Sequence, residues 1–255
     1  MEITFLGTSS GLTETNRFYT NLFIKESDYE LLIDCGDGIS KQLVNYNLKE
    51  SINSIIITHF HADHLAGLPS LLTQMKLLKR TKPLCLYVYY SLTKVMEYML
   101  NTFLLFPNKF SFPFTVIPIK QNKKVTLDCN ISFIAKRNTH VKDKEYYIFN
   151  KKINPVSTSL QITNNKSSLI YTSDIGNSED LYLYNIKKNK YFISEISHVE
   201  IFDILQLLKT NLTITVILTH YDINKLHKLL DNNEINSFIN SKRLIIAEDN
   251  YNISI

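Results

Sequence analysis

Cysteine is scarce in this sequence, and the three residues present, Cys35, Cys85 and Cys129, lie far apart. No C-x-x-C pair occurs, and an odd number of scattered cysteines argues against a disulfide framework. The N-terminal segment MEITFLGTSSG lacks the basic and apolar regions of a secretory signal peptide. Together these absences predict a protein of a reducing compartment, the cytoplasm.

Long apolar runs and dense basic tracts are missing as well. The apolar run LCLYVYY (84–90) is far shorter than the about 20 residues that a membrane-spanning helix needs, so no membrane segment is predicted. The formal net charge is only +4, and the basic clusters at 151–154 and 186–190 are short. Such clusters are typical of solvated loops rather than of a nucleic-acid surface, although an anionic phosphate ester remains a compatible substrate.

Glycine and proline are also few, with six residues of each, and no linker or low-complexity segment divides the chain. We therefore expect one domain spanning 1–255. Strands and helices alternate in two mixed halves, which predicts two β-rich layers flanked by helices, an α/β sandwich. The predicted strands cover 3–6, 20–24, 30–34, 54–58, 112–119, 125–127, 131–135, 158–163, 168–173, 191–196, 215–220 and 243–249. The predicted helices cover 37–46, 65–79, 91–105, 178–185, 199–209 and 224–231.

One stretch, ITHFHADHLAGLP (57–69), is rich in residues that bind metals. His59, His61, Asp63 and His64 follow an apolar strand directly, which is where open α/β sheets place their sites. Alternate residues of an extended loop can point to one side, so His59 and His61 can share an ion. Asp63 and His64 lie where the chain turns into a helix and can address a second ion. Imidazole and carboxylate together suit zinc or a similar divalent ion.

Three isolated residues complete a candidate ligand set, because His140, Asp174 and His220 each follow a predicted strand. Alone, such a histidine is more often structural, and such an aspartate is more often a turn residue. Beside the four-residue cluster, they make a dinuclear site plausible. The seven ligands divide into His59, His61 and His140 for one ion, Asp63, His64 and His220 for the other, and Asp174 as a bridge. Two ions about 3.5–4 Å apart can share a hydroxide nucleophile and clamp a phosphodiester.

The chain resembles the metallo-β-lactamase superfamily, and within it the ribonuclease Z branch of tRNA 3′-processing endonucleases. The matching blocks occur in order over nearly the whole chain: MEITFLGTSSG (1–11), LLIDCGDG (31–38), ITHFHADHLAGLPSLL (57–72), SLIYTSDIG (168–176), VILTHY (216–221) and LIIAEDNYNISI (244–255). The resemblance implies a four-layer αββα sandwich and two divalent metal ions, Zn²⁺ first, with Mn²⁺ or Fe²⁺ as alternatives. It also implies a homodimer.

The resemblance further implies roles for individual residues. Asp174 stands where metallo-β-lactamases proper usually carry cysteine. The resemblance therefore implies a phosphodiester substrate rather than a lactam. Asp63 would orient or deprotonate the nucleophile, and His198, charged and oriented by Glu195, would protonate the leaving oxygen. Asp34 would accept a hydrogen bond from a ligand histidine.

The main hypothesis is therefore a binuclear metal-dependent phosphodiesterase of ribonuclease Z type that acts on RNA. Ribonuclease Z enzymes carry a Gly- and Pro-rich arm that clamps tRNA, and no such insertion occurs in this sequence. A small-molecule phosphodiesterase acting on cyclic nucleotides is accordingly the alternative. A metal-binding protein that has lost catalysis is a third hypothesis of another class, although none of the seven ligands is missing.

Overall fold

A computed structural model describes residues 1–141, 146–148 and 151–255. The strands are β1 (Glu2–Gly7), β2 (Asn21–Glu26), β3 (Tyr29–Ile33), β4 (Ser54–Ile57), β5 (Leu84–Tyr89), β6 (Phe114–Ile119), β7 (Lys124–Thr126), β8 (Ser132–Arg137), β9 (Tyr146–Ile148), β10 (Lys151–Ile153), β11 (Thr158–Thr163), β12 (Ser168–Tyr171), β13 (Tyr191–Ser194), β14 (Thr215–Leu218), β15 (Leu244–Ile246) and β16 (Tyr251–Ser254). The helices are α1 (Ile39–Gln42), α2 (Ala62–Leu65), α3 (Leu68–Leu77), α4 (Thr93–Thr102), α5 (Ile201–Thr210), α6 (Ile223–Leu230) and α7 (Asn233–Asn240).

Most of these strands form two seven-stranded sheets. The first sheet has the order β16-β1-β2-β3-β4-β5-β6, and the second has the order β15-β14-β13-β12-β11-β8-β7. Both are mixed: β3 to β6 run parallel in the first sheet, as do β12 to β15 in the second, and the other pairs are antiparallel. Strands β9 and β10 pair separately as a hairpin.

Three apolar clusters show how the layers stack. One cluster joins the first sheet to α1, α3 and α4, a second lies between the two sheets, and a third joins the second sheet to α5, α6 and α7. Strand β4 shows the alternation that builds these layers, since Ile55 and Ile57 face the helices while Ile56 faces the other sheet. Burying each such side chain contributes about 1.5–3 kcal/mol. The layer order is helix, sheet, sheet, helix, which confirms the predicted αββα sandwich.

Two helix predictions are wrong in length. The segment predicted as a helix over 37–46 is the four-residue α1 followed by a 3₁₀ turn, Leu43–Asn45. The helix predicted over 178–185 is only a 3₁₀ turn, Ser178–Tyr182. In the second case Asp180 is buried and accepts hydrogen bonds from neighbouring loops, so tertiary contacts override the helical pattern.

The second half of the chain contains two elements that were not predicted. Helix α7 places Ile235, Phe238 and Ile239 at helical spacing against the third apolar cluster. It also has a good N-cap, because the Asn232 side chain accepts from the amides of Glu234 and Ile235. Strand β16 pairs with β1 at the edge of the first sheet. The strand character predicted between His140 and Asp174 also touches 142–145 and 149–150, which lie outside the described residues. Within the described ranges, no helix is long and apolar enough to cross a membrane.

Candidate metal centre

The strand order brings the ligand candidates to one edge of the sandwich. His59 follows β4 in the first sheet, while His140, Asp174 and His220 follow β8, β12 and β14 in the second. Strands β12 and β14 run in the same direction, and β8 shares it because β8 and β12 are both antiparallel to β11. The polar residues after these strands therefore converge, as the sequence predicts.

The turns that carry these residues are conformationally strained. Asp34, Ser173 and His220 have φ angles of 66°, 52° and 48°, in the left-handed region that non-glycine residues seldom adopt. Each such residue costs on the order of 1–3 kcal/mol and persists only where the surrounding structure enforces it. These three residues lie in the loops that form the edge where the ligand candidates converge.

Two glycines let the loop after β3 pack against the segment that carries Asp63 and His64. A Cβ atom on Gly36 would lie 2.1 Å from the carbonyl oxygen of Asp63, and one on Gly67 would lie 2.1 Å from the carbonyl oxygen of Gly36. The backbones instead join directly, with the Cys35 amide donating to the His64 carbonyl at 2.7 Å and the Gly67 amide donating to the Cys35 carbonyl at 2.9 Å. The position of α2 thus depends on the absence of two side chains.

His59, His61, His140 and Asp174 form the first of two close groups, with one donor atom of each within 4.8 Å of the others. Nε2 of His59 lies 3.7 Å from Oδ2 of Asp174, and Nε2 of His140 lies 3.6 Å from the same oxygen. Nε2 of His140 is also 3.0 Å from Nδ1 of His61.

Asp63, His64, Asp174 and His220 form the second group, at the same mutual separation. Here the other oxygen of Asp174 is used, because Oδ1 lies 3.2 Å from Nε2 of His64 and 3.3 Å from Nε2 of His220. Oδ2 of Asp63 lies 3.5 and 3.2 Å from the same two nitrogens. Asp174 therefore stands between the groups and presents one carboxylate oxygen to each.

Several donor atoms at this centre lack ordinary partners. Nε2 of His59, Nε2 of His64 and Oδ1 of Asp174 are buried, and none has a hydrogen-bond partner among the described residues. Buried polar atoms are nearly always hydrogen-bonded, so convergent buried atoms without such bonds are suited to binding a cation. Imidazole nitrogen and carboxylate oxygen are also the donors that first-row divalent metals prefer. The site is suited to divalent metal binding.

Burial shapes the protonation of the first group. It drives the pKa of His59 well below its usual value, and the charge of His64 acts in the same direction. Burial likewise lowers the pKa of His140 to about 4, against the opposing effect of Asp174. Both rings are neutral at physiological pH, which leaves a nitrogen lone pair free to bind a metal ion.

The carboxylates of the second group are held in their charged form. Burial acts to raise the pKa of Asp174, but the neighbouring His220 and His64 outweigh it and hold the pKa well below its ordinary value. For Asp63 as well, burial is outweighed, mainly by the hydrogen bond with His220, and the pKa is lowered. Two ionised carboxylates at this centre favour a bound cation.

Asp34, which was predicted to accept a hydrogen bond from a ligand histidine, contacts His64. Oδ2 of Asp34 accepts a hydrogen bond from Nδ1 of His64 at 2.8 Å, with both residues fully buried. This bond directs Nδ1 toward Asp34, so Nε2 is the His64 nitrogen that faces the centre and is placed to bind a metal ion.

Glu195 and His198, predicted to assist the leaving group, lie beside the ligand candidates. Oε1 of Glu195 is 3.1 Å from Nδ1 of His198, and Oε2 accepts from the amides of Ser197 and His198 at 2.6 and 2.8 Å. The hydrogen bond that Glu195 accepts from His198 raises the pKa of His198 above its ordinary value. The His198 ring packs 4.5 Å from that of His140, and 38% of its side chain is exposed. Glu195, His198 and His220 also form a third close group of donors.

Some residues that hold the site together were not singled out from the sequence. Oδ2 of Asp180 accepts from the amide and hydroxyl of Thr139 at 2.9 and 2.7 Å and from the amide of Gly176 at 2.9 Å, which joins the loops of His140 and Asp174. Nδ2 of Asn138 donates to the carbonyl of Asp174 at 2.8 Å. No local pattern marks these residues, since the Asn138–Asp174 and Thr139–Asp180 partners lie 36 and 41 positions apart in the chain.

Two other polar residues, His227 and Arg17, do not join the centre. His227 is exposed on α6. The Arg17 guanidinium is held by Glu14 at 2.9 Å and by the Tyr221 carbonyl at 3.1 Å, and it stacks 4.1 Å from the centroid of the Tyr221 ring. Arg17 therefore has protein partners and braces the loop that follows β1.

The fold and the donor set define a metallo-β-lactamase-fold protein with a divalent-metal site, similar to ribonuclease Z. YhfI from Bacillus subtilis, a metallo-β-lactamase fold protein, superposes with a TM-score of 0.75 at 18% identity, covering 99% of this chain and 98% of that one. The short form of human tRNase Z superposes with a TM-score of 0.71, also at 18% identity, covering 100% of this chain and 99% of that one.

The chain belongs to the family described as Anti-Pycsar protein Apyc1, whose family model matches residues 1–245. Among curated proteins it is similar to Ribonuclease Z of Prochlorococcus marinus, at 33% identity over 142 residues, which are 51% of this chain and 45% of that protein. The chain spans less than half the length of the curated relatives it matches. These comparisons confirm the resemblance to ribonuclease Z and the metallo-β-lactamase fold.

Proposed function

We propose that this protein is a binuclear metal-dependent phosphodiesterase of ribonuclease Z type. The observation that carries the proposal is the position of Asp174, whose Oδ2 faces the His59–His140 group and whose Oδ1 faces the His64–His220 group. A carboxylate with one oxygen toward each of two donor sets suits a pair of closely spaced ions. Such a pair serves the in-line displacement of a phosphodiester.

In this proposal His59, His61 and His140 would hold one ion, Asp63, His64 and His220 would hold the other, and Asp174 would serve both groups. When bound, the two ions would polarise the attacking water and neutralise charge on the phosphate oxygens. The nitrogen-rich donor set suits Zn²⁺ best, with Mn²⁺ or Fe²⁺ as alternatives.

Asp63 is assigned the role of activating the attacking water. Its carboxylate is ionised and anchored through Oδ2 to His220, so it can orient the attacking water and accept its proton. Part of its side chain, 14%, is exposed, in contrast to His64, which is completely buried. A proton acceptor must reach the substrate side of the centre, and the exposure of Asp63 meets that need.

His198, supported by Glu195, is assigned the role of protonating the leaving group. The Glu195 carboxylate stabilises the imidazolium form of His198 and fixes Nδ1, so Nε2 is the atom that can donate a proton. His198 is partly exposed at the rim of the centre, where the departing oxygen of a bound phosphodiester would emerge. The proton passes from Nε2 to that oxygen as the bond to phosphorus breaks.

RNA with a 3′ extension, such as a tRNA precursor, is the first candidate substrate. The curated relatives named Ribonuclease Z support it, as does the match of the chain to the human tRNase Z fold. The mild positive charge of the protein is compatible with a polyanion.

A cyclic nucleotide is the second candidate, for a specific reason. The curated ribonuclease Z relatives match about a third to a half of the chain, whereas the Apyc1 family model matches nearly all of it. The sequence likeness to ribonuclease Z therefore covers a smaller part of the chain than the match to the Apyc1 family model. No Gly- and Pro-rich arm for tRNA occurs in the sequence, and a small phosphodiester needs none.

A substrate panel tests both candidates. Purified metal-loaded protein is assayed with a 3′-extended tRNA, cyclic AMP and an aryl phosphodiester, with Asp63→Ala as the inactive control. Cleavage of the tRNA at its 3′ end supports the first candidate, and hydrolysis of the cyclic nucleotide alone supports the second. Failure of every phosphodiester in the panel would leave the non-catalytic metal-binding protein as the better hypothesis.

Two further properties are proposed with this function. A homodimer is supported by a group of exposed aromatic and aliphatic side chains on and after α4, at Tyr98, Phe103, Leu104 and Phe106. A cytoplasmic location is supported by three cysteines that are all free. Light scattering of the purified protein and fractionation of cells test these two properties.

A further inference from the structure

One hydroxyl group, Oγ1 of Thr58, lies where three polar side chains meet beneath the candidate metal centre. It is 3.0 and 2.9 Å from the two carboxylate oxygens of Asp34, 3.1 Å from Nδ1 of His59 and 2.8 Å from Oγ of Ser173. All four residues are buried, each with at most 2% of its surface exposed. Because these side chains are buried from water, they must form their hydrogen bonds with one another or with neighbouring protein groups.

The chemistry of the groups fixes the direction of each bond. The Asp34 carboxylate also accepts from the Thr58 amide and from Nδ1 of His64, both at 2.8 Å. Both Asp34 oxygens lie within hydrogen-bond distance of the Thr58 hydroxyl, which donates to this carboxylate. A hydroxyl has one proton and two lone pairs, so Thr58 accepts from the other two groups. Nδ1–H of His59 and Oγ–H of Ser173 are then the donors.

This arrangement determines which nitrogen of His59 faces the centre. With the proton of the neutral ring on Nδ1, the lone pair lies on Nε2, the atom 3.7 Å from Oδ2 of Asp174. Nε2 of His59 is buried and has no hydrogen-bond partner in the described part of the chain. Thr58 thus does for His59 what Asp34 does for His64.

The same hydroxyl also joins the two sheets. Thr58 directly precedes His59 at the end of β4, and Ser173 directly precedes Asp174 after β12. The Ser173–Thr58 hydrogen bond therefore links the backbone that carries one proposed ligand to the backbone that carries the proposed bridge. Ser173 adopts a left-handed conformation, with φ of 52°, which aims its hydroxyl across the interface at a conformational cost.

We propose that Thr58 and Ser173 are a pair of positioning residues that hold His59 and Asp174 in the tautomer and spacing that two ions need. This inference rests on the proposed function only in that the centre binds metal. It assigns Thr58 the stronger effect, because its hydroxyl serves both His59 and the link, whereas Ser173 serves the link alone.

The test is a metal titration of the metal-free protein. Zn²⁺ affinity is measured against a competing chelator for wild type, Thr58→Val, Thr58→Ser and Ser173→Ala. Thr58→Val keeps the shape of the side chain but loses the hydroxyl. We expect the more weakly bound of the two Zn²⁺ ions to bind about 10–100-fold more weakly, as for other groups that support a metal ligand. Thr58→Ser restores the hydroxyl and should restore the affinity. Ser173→Ala should weaken binding by a smaller factor.

A double variant with both Thr58→Val and Ser173→Ala shows whether the two hydroxyls act through their mutual hydrogen bond or independently of each other. If the hydroxyls act through each other, Ser173→Ala costs nothing further once Thr58→Val is present. The Ser132–Thr163 pair provides a matched control, because these hydroxyls also bridge two strands at 2.8 Å but at the ends of β8 and β11 away from the centre. Thr163→Val should leave the Zn²⁺ affinity at the wild-type value.

Several outcomes would overturn the inference. Wild-type Zn²⁺ affinity in Thr58→Val, equal losses in Thr58→Ser and Thr58→Val, or full additivity in the double variant each contradict it. If Thr58→Val does not fold, Ser173→Ala alone decides, and unchanged affinity there counts against the inference. Because binding is measured without substrate, wild-type protein that binds Zn²⁺ but cleaves no phosphodiester would refute the proposed function and leave this inference intact.

Discussion

At the scale of single residues, the centre combines buried ligand candidates with a few groups that reach the solvent side. His59, His64 and Asp174 are almost completely enclosed, whereas Asp63 and His198 are partly exposed. Enclosed donors are suited to holding ions, and partly exposed groups are suited to moving protons to and from a substrate. The proposed roles, metal binding for the enclosed residues and proton transfer for the exposed ones, follow this difference in exposure.

Replacement of Asp63 by alanine should abolish turnover without unfolding the protein. The change removes both a proposed metal ligand and the proposed proton acceptor, and general acid–base groups contribute about 10²–10⁴-fold to rate. The measurement is kcat on the best substrate of the panel, together with the circular dichroism spectrum. Asp37→Ala, which removes an exposed carboxylate in the turn before α1, should behave as wild type. Substantial activity in Asp63→Ala would refute the assigned role.

Replacement of His198 by alanine should show a dependence on the leaving group. A nucleoside hydroxyl is a poor leaving group that needs a proton, so its release should slow by about 10²–10⁴-fold. An aryl oxide leaves without protonation, so hydrolysis of an aryl phosphodiester should change little. Comparing kcat of the variant on the two substrates is the measurement. Equal losses on both would indicate that His198 supports the structure of the site rather than the proton transfer.

At the scale of the elements, the strand ends position the site, and this part follows from the sequence. A polar residue directly after an apolar strand, as at His59 and His220, is visible in a single sequence because strand and loop differ in composition. The contacts of Asp180 and Ser173 are not visible in this way. Their partners come from other loops, and only the pairing of strands distant in the chain brings those loops together.

The same distinction explains the elements that were mispredicted. The 3₁₀ turn at Ser178–Tyr182 has the composition of a helix, but the hydrogen bonds of Asp180 to the His140 loop hold it in another form. Helix α7 is short, and a local cap at Asn232 begins it directly after the end of α6. Pattern-based prediction therefore succeeds where burial dominates and fails where polar contacts between loops decide.

Replacement of Gly67 by alanine should displace the segment that carries Asp63 and His64. The added methyl group would lie 2.1 Å from the Gly36 carbonyl oxygen and 2.8 Å from the Ile39 side chain, so α2 must move. Overpacking of this kind costs about 1–3 kcal/mol, and we expect weaker metal binding as well. Thermal unfolding and Zn²⁺ titration are the measurements, with the exposed neighbouring change Ala66→Ser as control. Unchanged affinity and unfolding temperature would contradict the close packing.

At the scale of the whole molecule, the centre joins the two sheets of the sandwich. His59, His61, Asp63 and His64 come from the first sheet and its loops, and His140, Asp174 and His220 come from the second. Metal ions held by both sets would therefore cross-link the halves. The apolar cluster between the sheets supplies the rest of this interface, so we expect the fold to form without the ions.

Removal of metal should accordingly lower the thermal stability of the protein but leave it folded. Ligands that bind only the native state stabilise it by mass action, by about 2.7 kcal/mol at a free concentration 100 times the dissociation constant. We expect a lower unfolding temperature after dialysis against a chelator and recovery on addition of Zn²⁺. An unfolding temperature that is the same with and without metal would mean that the proposed ligands do not bind it in the native state.

The most direct test of the central claim is the number of metal ions bound per chain. Metal-free wild-type protein is titrated with Zn²⁺, and bound metal is quantified by mass spectrometry after removal of the excess. Because Asp174 presents one oxygen to each of two donor groups, we predict two ions per chain in wild type and fewer in Asp174→Ala. A single ion in wild type, or two ions retained in Asp174→Ala, would contradict the binuclear centre.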